Sequence, residues 1–166
     1  MAIRCLLLTG GPAAGKTTTG RRLAERRRRA AFVDVDDIRQ LVVAGAAAPW
    51  TAPEGIAQAR LGADNACALA RRFTENAFDV VIADVVTPDT AAIYRDQLPG
   101  CLIVHLVVSL AEAHRRAATR KIWLTTDEFE FLHHRDATTP PDADHRLTVD
   151  NLTIEQQIAA VAALWR

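Results

Sequence analysis

The sequence contains little of several residue types that mark specialised classes of protein. Its 166 residues include three cysteines, one tyrosine and one methionine, and basic and acidic residues balance at 20 each. The cysteines, Cys5, Cys67 and Cys101, have neither CxxC nor metal-ligand spacing, and each lies in an apolar run typical of buried, reduced thiols. A net charge of zero weighs against an extended nucleic-acid surface, although a local basic patch stays possible.

Long apolar runs are missing as well. The stretch MAIRCLLLTGG superficially resembles a secretion signal, but its apolar part is too short and continues directly into a glycine-rich motif. No stretch is long enough to cross a bilayer. With 49% apolar and 24% charged residues, the composition is that of a single globular domain. We therefore expect a cytoplasmic protein without a membrane segment, either a monomer or a homodimer.

Short apolar runs alternate with longer amphipathic segments along the chain. The runs are nearly continuously apolar, as in parallel strands that are covered on both faces, and they predict strands at 3–9, 30–36, 78–84 and 101–108, with a weaker fifth at 146–150. Helices are predicted at 15–28, 37–44, 53–76, 88–97, 110–120, 127–134 and 154–164. This alternation predicts a three-layer α/β/α sandwich with a five-stranded parallel sheet, in one domain.

Two of the predicted helices begin with a recognisable cap. Thr87 places a hydroxyl directly before Pro88, and proline favours the first position of a helix. Thr153 and Gln156 have the spacing of a capping box. These pairs predict where the helices at 88–97 and 154–164 begin.

A glycine-rich motif separates the first predicted strand from the first predicted helix. The stretch LLLTGGPAAGKTTTG has the form G-x-x-x-x-G-K-T. Its glycines let successive backbone N–H groups turn inward as an anion nest, and the helix that follows adds its positive N-terminal dipole. In such a loop Lys16 reaches the β- and γ-phosphates, and the Thr17 hydroxyl ligates Mg²⁺. The motif predicts nucleoside triphosphate binding by Gly10, Gly11, Pro12, Ala13, Ala14, Gly15, Lys16, Thr17 and Thr18.

The third predicted strand ends in a single acidic residue, Asp84. Motor and AAA-type ATPases usually have adjacent Asp and Glu at this point, and the guanine-reading string N-K-x-D of GTPases does not occur in the sequence. At the carboxyl end of a central strand, Asp84 would lie beside the phosphates and hold Mg²⁺ through a water molecule. The alternative is that Asp84 only caps the turn that follows.

The stretch VDVDDIRQ places Asp34, Asp36 and Asp37 at the end of the second predicted strand, with Arg39 just behind. Asp36 would emerge at the same edge of the sheet as the phosphate loop, where a carboxylate can accept the proton of an attacking hydroxyl. Arg39 would clamp an anionic group of the acceptor. Alternatively, Asp36 and Asp37 only cap the next helix, which is the role that we expect for Asp37. Asp34 has no assigned role.

Together these motifs resemble the small P-loop kinases that phosphorylate a hydroxyl, particularly the chloramphenicol phosphotransferase-like group. Asp36 stands where that group has its proposed general base. The string DDIRQ is also similar to the D-D-x-R-Q of phage polynucleotide 5′-hydroxyl kinase, in which the arginine contacts a neighbouring phosphate. The resemblance covers the phosphate loop and the second and third strands. It implies a nucleoside monophosphate kinase-like P-loop fold with ATP and Mg²⁺, and a helical lid at about 115–135.

The resemblance also implies roles for residues outside these motifs. Arginines on the lid of such kinases neutralise charge in the transition state, and Arg116 and Arg120 share a helix face four residues apart. Asn151 lies in the turn expected to pack on the adenine. Between the second and third strands, we expect contacts to the acceptor from Trp50, Arg60 and Asn65, together with Asp36, Arg39 and Asp84. In the helix at 53–76 the apolar side is predicted to be Ala57, Leu61, Ala68 and Phe73.

Three functions fit these patterns. The first is an ATP- and Mg²⁺-dependent kinase that phosphorylates a hydroxyl of a small molecule, such as an antibiotic or a nucleoside- or sugar-like compound. The second is a polynucleotide 5′-hydroxyl kinase, although the balanced charge and the short chain weigh against a long nucleic-acid groove. The third is an ATP-binding or ATP-hydrolysing switch module without a phosphoryl acceptor.

Overall fold

The computed structural model describes residues 5–119 and 121–166. Within these residues five parallel strands form one sheet in the order β2-β3-β1-β4-β5. The strands are β1 (Cys5–Thr9), β2 (Ala30–Asp34), β3 (Asp79–Ala83), β4 (Leu102–Val107) and β5 (His145–Thr148). The helices are α1 (Lys16–Glu25), α2 (Val35–Arg39), α3 (Glu54–Glu75), α4 (Pro88–Gln97), α5 (Leu110–Ala117), α6 (Thr126–Thr138) and α7 (Ile154–Leu164). None of the described helices is both long and apolar enough to cross a bilayer.

Strand β1 lies at the centre of the sheet, and its alternating side chains divide the core into two layers. Leu7 is in register with Ile82 of β3 and Ile103 of β4, and these side chains pack with α2, α3 and α4. Leu6 and Leu8 point to the opposite face and pack with α1, α5, α6 and α7. All three leucines are 0% exposed. The predicted α/β/α sandwich with a five-stranded parallel sheet is therefore confirmed.

Strand β2 is two residues shorter than predicted. The side chain of Asp34 accepts a hydrogen bond from the backbone N–H of Asp36 at 3.1 Å, so that Asp34 is the N-cap of α2. The helix consequently begins at Val35, and the prediction that the strand extends to Asp36 was wrong. Asp36 lies in the first turn of a helix and not at a strand end, which places it farther out over the edge of the sheet.

Helix α3 buries a face that was predicted incorrectly. The inward side chains are small and include Ala59, Ala63, Ala66 and Ala70, whereas Leu61 is 50% exposed. The predicted apolar side at positions 57, 61 and 68 is in fact exposed, and the fourth residue of that set, Phe73, is only partly buried. Because the inward face consists of small residues, α3 can approach the sheet and α2 closely.

Helix α6 packs directly on the phosphate loop. The ring N–H of His133, at Nε2, donates to the backbone carbonyl of Pro12 at 2.8 Å. A Cβ added to Gly11 would lie 3.0 Å from the same ring, so a side chain at this position would require His133 to shift slightly. Phe129 packs against the ring of His133, with centroids 4.9 Å apart and the ring planes inclined at 40°. Burial lowers the pKa of His133, and the hydrogen bond to Pro12 acts in the opposite direction.

This burial predicts a pH-dependent contribution of His133 to stability. Because the folded state holds His133 with a lowered pKa, the unfolded chain binds more protons as the pH falls below about 6.5, and stability is lost in that range. Urea unfolding of the wild type and of His133→Asn at about pH 7 and about pH 5 tests this. We expect a smaller loss for His133→Asn, whereas His134→Asn, at the exposed neighbouring position, should keep the wild-type loss. Equal losses in all three proteins would contradict the prediction.

Candidate active site

The phosphate loop joins β1 to α1 and depends on two glycines with positive φ. Gly10 has φ 146° and Gly15 has φ 89°, conformations that side chains rarely adopt. A Cβ on Gly10 would also collide with the backbone carbonyl of Leu106, and one on Gly15 would lie 2.8 Å from Nε2 of Gln157. The spacing of the motif therefore has a steric cause, because both positions favour glycine and a side chain at Gly10 would collide with the backbone.

The side chain of Lys16 forms hydrogen bonds with the backbone of the phosphate loop. Its Nζ donates to the carbonyl oxygens of Gly10 at 2.8 Å and Gly11 at 3.0 Å. Burial lowers the pKa of Lys16, and the charges of Asp36 and Asp136 are the largest effects in the opposite direction. The ammonium is thus partly buried near several carboxylates at the floor of an open cavity, where it can contact phosphate oxygens.

The Thr17 hydroxyl donates to Oδ2 of Asp34 at 2.9 Å. This contact gives a role to the aspartate that the sequence left unexplained, since Asp34 both caps α2 and meets the first turn of α1. Burial raises the pKa of Asp34, while the hydrogen bond from Thr17 lowers it. A hydroxyl and a carboxylate side by side are the oxygen donors that Mg²⁺ prefers, directly or through water.

The chain itself offers few further metal ligands. Among the residues that the structure describes, no group of three or more His, Cys, Asp or Glu side chains is placed to hold a metal ion. Mg²⁺ is usually bound by one or two protein groups with phosphate oxygens and water completing its shell. The pair of Thr17 and Asp34 fits that pattern.

Asp36 is the most exposed carboxylate of the site, with 70% of its side chain accessible. Its Oδ1 accepts from Nη1 of Arg39 at 2.6 Å, whereas its Oδ2 accepts no hydrogen bond from any described residue. Arg39 itself is 16% exposed and also donates to Asp84. One oxygen of Asp36 is therefore held in place, and the other faces the open space above the phosphate loop.

Asp84 lies at the carboxyl end of β3 with 0% of its side chain exposed. Its Oδ1 accepts from Nη2 of Arg39 at 2.6 Å and from the backbone N–H of Val85 at 2.8 Å, and its Oδ2 accepts from the hydroxyl of Tyr94 at 2.8 Å. The expected contacts of Asp84 with a water on Mg²⁺ and with the acceptor require a free oxygen. Since its oxygens already accept three hydrogen bonds, these contacts of Asp84 stay predictions, and Asp34, which accepts from Thr17, is a second candidate for the water contact.

A cavity of about 730 Å³ opens above these groups. Trp50, which precedes α3, lines one part of it, and Trp123, which precedes α6, lines another. Trp123 is 83% exposed, and Nζ of Lys121 lies 4.0 Å from its ring centroid. Thr18 of the phosphate loop also lines the cavity. The volume is that of a pocket for a small organic molecule.

Arg135 of α6 also lines the cavity, although it belongs to no sequence motif. Its guanidinium stands 5.8 Å from the ring centroid of Phe131 and forms no hydrogen bond or ion pair with the described residues. Burial lowers the pKa of Arg135, the charge of Asp136 opposes this, and the charge of Arg39 adds to it. An unpaired, half-buried cation beside Arg39 would be stabilised by an anion.

Two residues expected at the acceptor site lie elsewhere. Arg60 forms an exposed ion pair with Asp89 at 3.3 Å, between α3 and α4. Asn65 lines a separate hollow between α2 and α3, next to Leu41. Because the buried face of α3 differs from the predicted one, both side chains point away from the cavity above the phosphate loop.

The lid candidate Arg116 is tied to the body of the protein. It donates to Glu112 at 2.7 Å, to the carbonyl of Val149 at 2.6 Å and to Gln157 at 3.5 Å. Hydrogen bonds from Arg115 and Arg116 lower the pKa of Glu112 to about 2. Arg116 consequently lies beside the turn after β5 and does not line the cavity. The second lid candidate, Arg120, lies outside the described residues.

Gln157 connects that turn to the phosphate loop. Its Nε2 donates to the carbonyl of Ala14 and to the hydroxyl of Thr19, both at 2.9 Å, and it is 1% exposed. The sequence signal for this contact is the presence of a glutamine within the apolar stripe of α7. Asn151 is exposed in the same turn, where Asp150 accepts from the backbone N–H of Ser109 at 2.8 Å.

The comparisons with known proteins give structural neighbours and no sequence relatives. No protein-family model matches the sequence, and no curated protein matches it either. Among solved structures, a sugar kinase from Janibacter sp. HTCC2649 aligns over 99% of this chain and 94% of its own, with a TM-score of 0.73 and 16% identity.

Two further neighbours have similar scores. The shikimate kinase from Bacteroides thetaiotaomicron aligns over 98% of each chain with a TM-score of 0.72 and 21% identity. The tunicamycin resistance protein of Deinococcus radiodurans aligns over 98% of this chain and 95% of its own, with a TM-score of 0.70 and 14% identity. At these identities the likeness concerns the fold, and the chain therefore has the fold of the shikimate kinase-like P-loop kinases.

Proposed function

We propose that this protein is an ATP- and Mg²⁺-dependent kinase that phosphorylates a hydroxyl group of a small organic molecule. The observation that carries the proposal is the position of Asp36. It presents one free carboxylate oxygen to a cavity whose floor is a phosphate loop, and Arg39 holds the other oxygen at 2.6 Å. The cavity extends from the loop to Trp50 and Trp123, an extension that a module which only binds or hydrolyses ATP does not require.

The reaction follows from the placement of these groups. The loop amides and Lys16 hold the β- and γ-phosphates, and Oδ2 of Asp36 accepts the proton of the acceptor hydroxyl. The hydroxyl oxygen then bonds to the γ-phosphorus as the bond to the bridging oxygen breaks, and ADP leaves. Thr17 and Asp34 would hold Mg²⁺, which when bound neutralises charge on the phosphates. The proton on Asp36 returns to water.

The lining of the cavity suggests the chemistry of the acceptor. Trp50 and Trp123 offer aromatic surface, and Arg135 offers a cation without a partner among the described residues. These groups suit a small molecule with a ring and an anionic or strongly hydrogen-bonding substituent. Structural neighbours named as a sugar kinase and a shikimate kinase support a small-molecule acceptor in general terms.

A screen for ATP consumption is the direct test of this function. Hydroxyl-bearing metabolites, nucleosides, sugars and antibiotics would be offered with Mg·ATP, and a phosphorylated product would be confirmed by its mass. One arm of the screen contains 5′-hydroxyl oligonucleotides, which a polynucleotide kinase would phosphorylate in a strongly salt-dependent manner. ADP production that no compound stimulates would contradict the proposal and favour a hydrolysing module.

Asp36→Asn is expected to remove the base without altering nucleotide binding. Loss of a positioned general base should lower kcat about 100-fold to 10,000-fold. The Kd for ATP, measured by calorimetry, should change less than about twofold, since Asp36 lies outside the phosphate loop. Asp37→Asn makes the same change of charge at the next, exposed position and should keep wild-type turnover. Unchanged kcat in Asp36→Asn would refute the assignment of the base.

Asp34→Asn is expected to raise the Mg²⁺ requirement. Asparagine is as good an N-cap as aspartate, so α2 should persist in the variant. The carboxylate beside Thr17 is lost, and the Mg²⁺ concentration for half-maximal activity should rise about 10-fold to 100-fold. Titration of Mg²⁺ at saturating ATP measures this, with Asp84→Asn for comparison. If Asp84→Asn raised the requirement and Asp34→Asn did not, the water contact would belong to Asp84.

A further inference from the structure

The only tyrosine of the sequence lies behind the sheet edge, in α4, and is 0% exposed. The ring of Tyr94 packs in the apolar layer formed with α2 and α3, and its hydroxyl donates to Oδ2 of Asp84 at 2.8 Å. Burial, followed by the charge of Asp84, raises the pKa of Tyr94 well above its usual range, so the hydroxyl remains a proton donor. A phenylalanine would fill the same space, and the packing alone does not explain the hydroxyl.

The hydroxyl is the first member of a chain of hydrogen bonds that leads to the cavity. Asp84 accepts from Tyr94 on one oxygen and from Nη2 of Arg39, at 2.6 Å, on the other. Arg39 in turn donates from Nη1 to Asp36, also at 2.6 Å. Exposure of the side chains rises along this path from 0% at Asp84 through 16% at Arg39 to 70% at Asp36.

The order of these contacts shows which group depends on which. Asp36 has Arg39 as the only described side chain that contacts its carboxylate, so Arg39 determines how that carboxylate is oriented. Arg39 can hold Asp36 only while its own guanidinium plane is fixed, and Asp84 fixes it. Oδ1 of Asp84 is held by Arg39 and by the backbone N–H of Val85, and Tyr94 is the one described side chain that holds Oδ2, so Tyr94 fixes the second oxygen of that carboxylate.

We propose that Tyr94 is a positioning residue for phosphoryl transfer, which acts through Asp84 and Arg39 to orient the carboxylate of Asp36. The inference rests on the proposed function, because it concerns the orientation of the same base. It also gives Arg39 a role that differs from the expected clamp on the acceptor, since two of its donors are committed to Asp36 and Asp84.

The test combines Tyr94→Phe with Asp36→Asn in a double-mutant cycle. Phosphoryl transfer is measured with ATP and the acceptor identified in the screen. The rate of ATP hydrolysis, which needs no added acceptor, is measured on the same protein samples. Misplacing the reacting group should lower kcat about tenfold in Tyr94→Phe, with the KM for ATP nearly unchanged. In the Asp36→Asn background the same substitution should lower kcat less than about twofold, because there is no base left to orient.

A purely structural role for Tyr94 predicts equal fold-losses in both backgrounds, which would overturn the inference, as would an unchanged kcat. Gln97→Ala is the matched control. Gln97 lies on the same helix and ties α4 to α3 by contacts with Asp64 and Arg71, but it does not touch Asp84. It should leave kcat at the wild-type value. If Tyr94→Phe does not fold, Arg39→Lys repeats the cycle, because an ammonium cannot bridge two carboxylates as a planar guanidinium does.

A measurement without turnover separates this inference from the proposed function. The guanidinium of Arg39 should rotate slowly in the wild type and give resolved ¹⁵Nη signals by nuclear magnetic resonance. In Tyr94→Phe these signals should broaden or merge, whereas in Gln97→Ala they should not. If Asp36→Asn kept full turnover, the assignment of Asp36 as the base would be refuted. The ¹⁵Nη signals would still show whether Tyr94 fixes the guanidinium of Arg39. Unchanged Arg39 signals in Tyr94→Phe would refute the role of Tyr94.

Discussion

The arrangement of the site depends on how the charge of one buried carboxylate is compensated. Asp84 ends a central strand with its side chain fully buried, and a carboxylate in that position is strongly destabilising unless it is paired and hydrogen-bonded. Arg39 supplies the opposite charge and therefore turns inward from α2. This requirement holds α2 against the sheet edge, and it brings the first turn of that helix, with Asp36, over the phosphate loop.

The phosphate loop is supported from two sides by polar side chains of distant segments. Gln157 of α7 bonds to the carbonyl of Ala14, and His133 of α6 bonds to that of Pro12. From inside the loop, Lys16 bonds to Gly10 and Gly11. Four carbonyl groups of the loop thus accept hydrogen bonds from side chains, and that of Gly11 also accepts from the backbone N–H of Ala14 at 3.3 Å. An anion meets a surface that is organised before it binds.

The sequence was sufficient for the fold because each structural layer has a local signature. Buried parallel strands are continuously apolar, and the caps at Thr87 and Thr153 lie where their hydroxyl groups predict them. The end of β2 was harder to predict, because it depends on whether Asp34 or Asp36 caps α2. Both residues are aspartate, and only the contact between Asp34 and Thr17, which are 17 positions apart, distinguishes them.

Other parts of the site depend on packing contacts that are not apparent from the sequence. The inward face of α3 consists of alanine, glycine and Cys67, whereas Leu61 and Leu69 are 50% and 42% exposed. A prediction based on hydrophobicity therefore selects the wrong face of α3. For this reason Arg60 and Asn65 were expected at the acceptor site. Arg135 and Tyr94 lie in no motif, and their importance follows only from what surrounds them in three dimensions.

The order of the strands has a consequence for how such a protein can change over evolution. Asp36 and Trp50 reach the cavity from the β2 edge, through α2 and the segment before α3, while Trp123 and Arg135 reach it from α6 and the segment before it. The loop after strand β1 lies between these two groups of residues. Under the proposed function, substitutions in either group need not alter the phosphate loop, so a new acceptor can be selected while phosphate binding is inherited.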